Sequence, residues 1–372
     1  MNKWSKMLLV VGILVAIVVL VACSASGKVH YQASPQYDGK KFVNPAGSFE
    51  IGAGGYISLI KEYLLEKRVA PAPEQAVPLK QLSKTELIED NRVGTAIYRL
   101  GHSSLLLAVD GEFWLIDPVF SERVSPVSWA GPKRFHPTPI GLSELPPIKG
   151  VVISHDHYDH LDKSTISALA EQVEHFVVPL GIGSYLQKWN VSPQKIQELD
   201  WWQSFELPKL TLTATPSQHF SGRGLTDRDQ TLWASWVIKT AQQNIYFSGD
   251  TGYFDGFKTI GERLGPFDLA ILENGAYNKL WPSIHMQPND TMQAFLDLGA
   301  KALMPVHNST FDLALHPWFE PLERIQALAV THNANVVTPI IGQQVKLPLQ
   351  QSYDYWWQQM ITYREVNAKA DH

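Results

Sequence analysis

Within nine residues, Ser154-His155-Asp156-His157-Tyr158-Asp159-His160-Leu161-Asp162 sets out three imidazoles and three carboxylates. His155 and His157 are two apart, so in an extended segment they project to one side. Asp159 and His160 follow at once, where the chain can turn toward the next helix. Imidazole nitrogen and carboxylate oxygen are ordinary ligands for zinc and related divalent cations. His155, His157, Asp159 and His160 are more donors than one tetrahedral site with an open position would draw from a single loop, which points to two metals sharing it. A merely solvated loop would carry similar residues, but this one follows directly on the apolar run Val151-Val152-Ile153. His219, Asp250 and His307 each stand just past another apolar run and complete the set. His30, His175, His316, His332 and His372 lack that position and read as structural or surface residues.

Positioning these donors requires strands that end together. Short apolar runs at 104–109, 112–116, 150–154, 210–215, 244–248, 269–272 and 302–306 each stop at a polar or charged cluster. Asp110-Gly111 between the first two is a hairpin signal. Helical patterns intervene at 163–174, 288–298 and 321–331. The expectation is a layered α/β domain with its site along one sheet edge. That domain is placed at 92–345, with a linker and N-terminal extension at 23–91 and a C-terminal segment, 346–372, packing on it. In the extension, Gly52-Ala53-Gly54-Gly55 has no dinucleotide-binding context and reads as a loop, 56–67 as a short amphipathic helix, and Val69-Ala70-Pro71-Ala72-Pro73 as its breaker.

The pattern His-x-His-x-Asp-His, followed by His, Asp and His at strand ends, resembles the metallo-β-lactamase superfamily over about residues 92–345. The resemblance implies a four-layer αββα sandwich. It implies one zinc on His155, His157 and His219, a second on Asp159, His160 and His307, and Asp250 bridging both; another divalent metal could serve. The true β-lactamases of the superfamily commonly use a Cys ligand, and the one Cys of this chain is Cys23. Longer segments are similar to a narrower family, the N-acylphosphatidylethanolamine-hydrolysing phospholipases D. They include Gly131-Pro132-Lys133-Arg134-Phe135, Glu198-Leu199-Asp200-Trp201-Trp202, Thr215-Pro216-Ser217-Gln218-His219, Gly249-Asp250-Thr251-Gly252-Tyr253 and Gly265-Pro266-Phe267-Asp268-Leu269-Ala270. Two segments depart from that family: Ile284 stands where relatives place a polar residue, and Asn308-Ser309-Thr310 replaces Trp-Gly-Thr.

What the resemblance implies is a zinc phosphodiesterase cleaving the headgroup-side P–O bond of N-acylphosphatidylethanolamine-like phospholipids. Two metals can polarise a water and clamp a phosphodiester for in-line attack. Asp159, Asp250 and His285 are the residues expected to act there, His285 by protonating the leaving oxygen or binding phosphate. Metal-bound histidines usually pass their other N–H to a carboxylate or carbonyl. Asp117 and Asp162 are candidates for that task, although either suits a turn or helix cap; His102 joins them by family position. Lys133 and Arg134 read as a structural turn, and Trp201, Trp202, Trp233, Trp236, Trp356 and Trp357 as packing aromatics. Trp281 and Trp318 are the expected substrate or lipid contacts. Hydrolysis of a carbon ester such as an acyl lactone is the alternative activity, and a non-enzymatic envelope lipoprotein the alternative class.

The 372 residues are 45% hydrophobic with a formal charge of −5, which argues for a large core and against sequence-independent nucleic-acid binding. A single cysteine excludes a disulfide framework. Lys3 and Lys6 precede an apolar run at 7–22, and Leu20-Val21-Ala22-Cys23 resembles a bacterial lipobox. The expectation is a lipoprotein signal peptide at 1–22 and a lipid anchor on Cys23. The body would then lie in the bacterial cell envelope, with Ser24 favouring an outer membrane facing the periplasm. A single uncleaved N-terminal membrane helix is the alternative. The expected partners are the phospholipid substrate and the membrane surface; a homodimer is left open.

Overall fold

Sequential runs that are apolar on both faces are the mark of strands buried between layers, and the chain has them in series. A computed structural model describes residues 31, 33–44, 47 and 68–361. The expected leader at 1–22, Cys23, the Gly-rich patch and the helix at 56–67 lie outside the described residues. Strands β1 (Thr95–Gly101), β2 (Ser104–Val109), β3 (Glu112–Ile116), β4 (Ile148–Val152), β5 (His175–Pro179) and β6 (Ile196–Leu199) lie side by side in chain order in one sheet. The second sheet holds β7 (Ser204–Glu206), β8 (Leu210–Thr215), β9 (Ser235–Thr240), β10 (Asn244–Phe247), β11 (Leu269–Glu273) and β12 (Leu303–Val306), also in order. β13 (Gln344–Leu347) returns to the first sheet, antiparallel to β1. Pairing is antiparallel through β1, β2 and β3 and parallel from β3 to β6; it is antiparallel from β7 to β10 and parallel from β10 to β12.

Alternate residues of each strand serve two different cores. Ile97, Leu105, Leu107, Trp114 and Val152 of the first sheet meet Leu212, Trp236, Ile238, Phe247 and Ile271 of the second. Their neighbours Tyr98, Leu106, Leu115, Val151 and Phe176 face outward instead. There they meet Leu87 of α1 (Lys84–Asp90), Ile166 and Leu169 of α2 (Lys163–Leu169) and Leu186 of α3 (Gly183–Lys188). On the far side, Tyr246, Ala270 and Leu272 pack on Phe257 and Ile260 of α4 (Gly256–Leu264), Met292 and Phe295 of α5 (Pro288–Asp297), and Ile325 of α6 (Glu320–His332). The architecture is therefore the expected four-layer αββα sandwich. The hairpin at Asp110-Gly111 has positive φ at both residues, 45° and 83°, as its tight turn demands.

The structured unit exceeds 92–345 at both ends. Leu82 and the buried Leu87 belong to the first outer core, and β13 runs two residues past 345. Beyond it, Trp356, Trp357 and Met360 pack against Trp318, Phe319 and Leu322. The early residues also reach it: Phe42 is fully buried in the central core. The helix expected at 163–174 stops at Leu169, and β1, β5, β6, β7, β9 and β13 were not separable from sequence alone. Among the described residues no helix is long and apolar enough to cross a membrane.

Candidate metal centre

The ends of β1, β3, β4, β8, β10, β11 and β12 deliver the polar residues to one edge of the sandwich. After β4 the chain turns at once: the amides of His160 and Leu161 donate to the His157 carbonyl at 3.1 and 2.8 Å. This turn folds the four donors of the motif back on themselves. Donor atoms of His155, His157, His219 and Asp250 all lie within 4.8 Å of one another, as do those of His102, Asp159, His160 and His307. Asp250 links the two groups. Its Oδ2 lies 3.6 Å from His155 Nε2, 3.8 Å from His219 Nε2 and 3.1 Å from His307 Nε2, and its Oδ1 lies 3.1 Å from His160 Nε2. Asp159 Oδ2 faces His160 and His307 at 3.5 and 3.3 Å. All seven sequence-predicted donors thus converge.

Several buried atoms here have no hydrogen-bond partner, His160 Nε2 and Asp250 Oδ1 among them. They approach to 3.1 Å without hydrogen-bond alignment. A buried cluster of imidazoles and carboxylates with unsatisfied atoms costs free energy unless cations join it. The donor set is nitrogen and oxygen in two groups sharing one carboxylate, which fits two zinc or similar divalent ions.

The charges without metal follow the same geometry. Burial would depress His160, yet Asp250 and Asp159 hold it well above the usual histidine range. Burial is likewise overcome at His307, which Asp250 and Asp159 push up to about 10. Burial depresses His155 and His219 well below that range and His157 to about 4. Burial opposes ionisation of Asp159 and Asp250, but the neighbouring imidazoles keep both carboxyls well below 3.8. Two imidazolium protons therefore balance the two anionic carboxylates.

A ring of supporting residues fixes the imidazoles. Asp117, fully buried, accepts from Ser154 N–H at 2.7 Å, Ser154 Oγ–H at 2.6 Å and His160 Nδ1–H at 2.7 Å. With its hydroxyl proton given to Asp117, Ser154 Oγ accepts from His155 Nδ1–H at 2.9 Å. One carboxylate thus orients two donors, the usual arrangement behind metal-binding histidines. His102 Nε2 lies 3.0 Å from Asp159 Oδ2. Asp162 behaves differently from the expectation that it supports a ligand. Its carboxylate caps α2 at Ser164 N and accepts from Phe120 N, Ser121 N, Ser121 Oγ and Thr165 Oγ1. Those donors saturate it.

His219 Nδ1–H donates to the Ile284 carbonyl at 2.9 Å. The Ile284 side chain is buried with Ala276, Trp281 and Ala314, which accounts for an apolar residue at this position. Asn308 accepts from the buried Arg99 guanidinium through both its carbonyl and its Oδ1, at 2.8 Å each. Trp281 and Trp318, expected at a substrate or lipid contact, are interior. Trp281 donates to the Ala276 carbonyl and Trp318 stacks on Trp356, because the loops carrying them fold inward. Among the described residues the exposed tryptophan is Trp129. Arg134 donates to the Val119 and Ser121 carbonyls and Lys133 pairs with Glu122, a structural turn as read.

Three contributors escaped sequence reasoning. Ser154 was visible only as the residue before the motif. Asn44 comes from the N-terminal extension, yet its Nδ2 donates to the His219 carbonyl at 2.6 Å. Glu273, at the end of β11, bonds to His285 at 2.9 Å. Its position after an apolar run was the available signal.

Comparison with known proteins places this geometry. The model of the beta-lactamase superfamily domain matches residues 114–308. Over 344 residues the chain is 43% identical to an uncharacterized protein of Mycobacterium tuberculosis, a match covering 91% of each chain. It is 32% identical over 317 residues to N-acyl-phosphatidylethanolamine-hydrolyzing phospholipase D 1 of Caenorhabditis elegans, covering 80% of this chain and 88% of the relative. The solved structure of an isothiocyanate hydrolase from Delia radicum gut bacteria superposes with a TM-score of 0.55 at 19% identity. That match covers 68% of this chain and 100% of the other and is a likeness of fold.

Proposed function

The chain belongs to the beta-lactamase superfamily, in the group that includes the N-acyl-phosphatidylethanolamine-hydrolysing phospholipases D, and from that premise we propose that it is a metal-dependent phosphodiesterase of the phospholipase D type. Its substrate is an N-acylphosphatidylethanolamine-like phospholipid, cleaved at the headgroup-side P–O bond to give a phosphatidate and an N-acylated amino alcohol. The observation that carries the reading is the pair of donor groups sharing Asp250, on a chain whose relatives over most of its length include that phospholipase. His155, His157 and His219 would hold one zinc, Asp159, His160 and His307 the other, with Asp250 common to both. When bound, such a pair supplies Lewis acidity toward a phosphoryl oxygen and a water acidic enough to attack near neutral pH.

The chain's own residues supply orientation. Asp117 and Ser154 hold His160 and His155 with their Nε2 atoms turned inward. The Ile284 carbonyl does the same for His219. The two aspartates remain anionic in a buried site because imidazoles surround them. His285, partly exposed beside both groups, is the residue placed to meet the phosphodiester or its leaving oxygen.

The test is mass spectrometry of products from the purified protein offered an N-acylated phospholipid, an aryl phosphodiester and an acyl lactone. Release of phosphatidate supports the reading; lactone turnover without phosphodiester cleavage overturns it. The envelope tether is proposed from the lipobox-like segment ending at Cys23. Cys23→Ala should move the protein out of the membrane fraction, whereas continued tight association would favour an uncleaved helix.

A further inference from the structure

β11 is buried along its whole length, and its last residue, Glu273, is a carboxylate with no solvent exposure. A buried carboxylate must find donors. Glu273 finds two. Oε1 accepts the Met286 amide N–H at 2.6 Å, and Oε2 lies 2.9 Å from His285 Nδ1. A carboxylate only accepts, so the proton of this bond sits on Nδ1. In the neutral ring the other nitrogen, Nε2, then carries the lone pair.

The place of the ring gives this bond its significance. The His285 ring lies 5.2 Å from that of His219 in one donor group and 5.2 Å from that of His307 in the other. It stacks on His307 at 22° between planes. Its side chain keeps 13% exposure, against 2% or less for His155, His160, His219, His307 and Asp250. With His157 and Asp159, His285 is therefore one of the partly exposed groups through which the cluster meets whatever enters from solvent. Histidine in free exchange between tautomers would offer a donor or an acceptor there at random.

We propose that Glu273 is a positioning residue: by holding the proton of His285 on Nδ1 it presents Nε2 as an acceptor on the substrate side of the metal centre, able to take a proton from the attacking water and then pass it to the leaving oxygen. The Glu273–His285 pair forms a unit separate from the seven metal donors. The proposal takes from the preceding section only that a phosphodiester is processed at this site. Its competitor is that Asp250, Glu273, His285 and His307, whose donor atoms also lie within 4.8 Å of one another, hold a cation of their own.

Glu273→Gln separates these cases. The Met286 N–H demands an acceptor, so the Gln oxygen takes the Oε1 place and its NH2 group faces His285. Nδ1 must then accept, and the proton moves to Nε2. In the zinc-loaded full chain, 15N NMR of the histidine side chains should show His285 change from the Nδ1–H to the Nε2–H form. Zinc content should stay at its wild-type value. With bis(p-nitrophenyl) phosphate as probe, kcat should fall about 100-fold with KM within about twofold. In a His285→Ala background, adding Glu273→Gln should lower kcat no further. Loss of a metal equivalent from Glu273→Gln, an unchanged tautomer, or a full additional loss on top of His285→Ala would each overturn the assignment. If the wild-type protein cleaves no phosphodiester, the phospholipase reading falls, and the tautomer measurement still decides the role of Glu273.

Discussion

Asp117→Asn removes one atom's worth of basicity from the support of the metal centre and changes little in shape. The native carboxylate accepts three hydrogen bonds: Ser154 N–H on Oδ1, and Ser154 Oγ–H and His160 Nδ1–H on Oδ2. In the variant the amide oxygen keeps the Ser154 amide, and the NH2 group faces two groups that were donating. The Ser154 hydroxyl can rotate. With metal bound His160 keeps a single proton, and its one remedy is to hold it on Nε2, the atom that faces Asp250 at 3.1 Å. A proton there competes directly with a metal. Loss of such a supporting carboxylate typically lowers metal affinity about 10- to 100-fold, which is about 1.4–2.8 kcal/mol at about 1.4 kcal/mol per tenfold. The group containing His160 should weaken more than the group containing His155, which contacts Asp117 only through Ser154. Competition of the metal-free protein against a chromophoric chelator, read as two successive equivalents, measures both affinities. Two equivalents bound with wild-type affinity would refute the reasoning. So would equal weakening of both steps, because it would show that Asp117 acts as a diffuse charge rather than as an oriented acceptor.

Three further outcomes follow from the same coordinates. Zinc entering the metal-free protein at pH 7.5 should displace about two protons, those held on His160 and His307; calorimetry in buffers of different ionisation enthalpy counts them, and a count of zero contradicts the charge assignment. The metal-free protein should lose stability as pH falls from about 6.5 to about 4. Burial depresses His157 and His136 to about 4 and His102 to about 3, so the unfolded chain binds these protons first. His307, raised to about 10, acts oppositely: its contribution is complete below about 6.5 and is lost as pH rises through about 10. Urea midpoints across that range test both limbs, and a flat acid limb would count against the neutral buried histidines. In Gly275→Ala, the new Cβ would stand 2.1 Å from the His307 carbonyl oxygen, so the ligand loop must shift. A cost of about 1–3 kcal/mol together with weaker metal retention is expected; an unchanged Tm and metal content would show that the loop yields freely.

Much of the site was legible because its donors obey a positional rule. His155, His219, Asp250 and His307 each follow an apolar strand closely enough that the strand locates them. Legibility stops where a partner comes from another part of the chain. Asn44 reaches His219 across 175 positions, and Glu273 meets His285 only because the chain between them returns to the end of β11. The tryptophan expectation failed for a related reason: Trp281 and Trp318 stand near site histidines in sequence, but their own loops enclose them. Among the first-sheet strands beyond β2, β3 and β4, β1 and β5 were hidden because burial on both faces leaves no alternation, and β6 and β13 because each is only 4 residues long.

What the sequence could least show is the backbone itself. His102, Asp117 and His307 all adopt left-handed φ, at 52°, 43° and 63°, a region that side-chain-bearing residues seldom occupy. Each lies at the end of a strand, and each is held there by a hydrogen bond to its own amide. Thr310 Oγ1 accepts from His102, the Val152 carbonyl from Asp117, and the His102 carbonyl from His307. Such a turn reverses the side chain's direction within one residue, which is how strands of two sheets aim donors at a common point. The strain is of order 1–3 kcal/mol per residue, against about 0.5–1.5 kcal/mol for a neutral hydrogen bond of the kind each amide makes. Thr310 is therefore part of the site's design although its hydroxyl meets His102 only at the backbone: without that hydroxyl, the His102 amide loses the bond that holds its left-handed turn, and His307, bonded to His102, loses its reference as well.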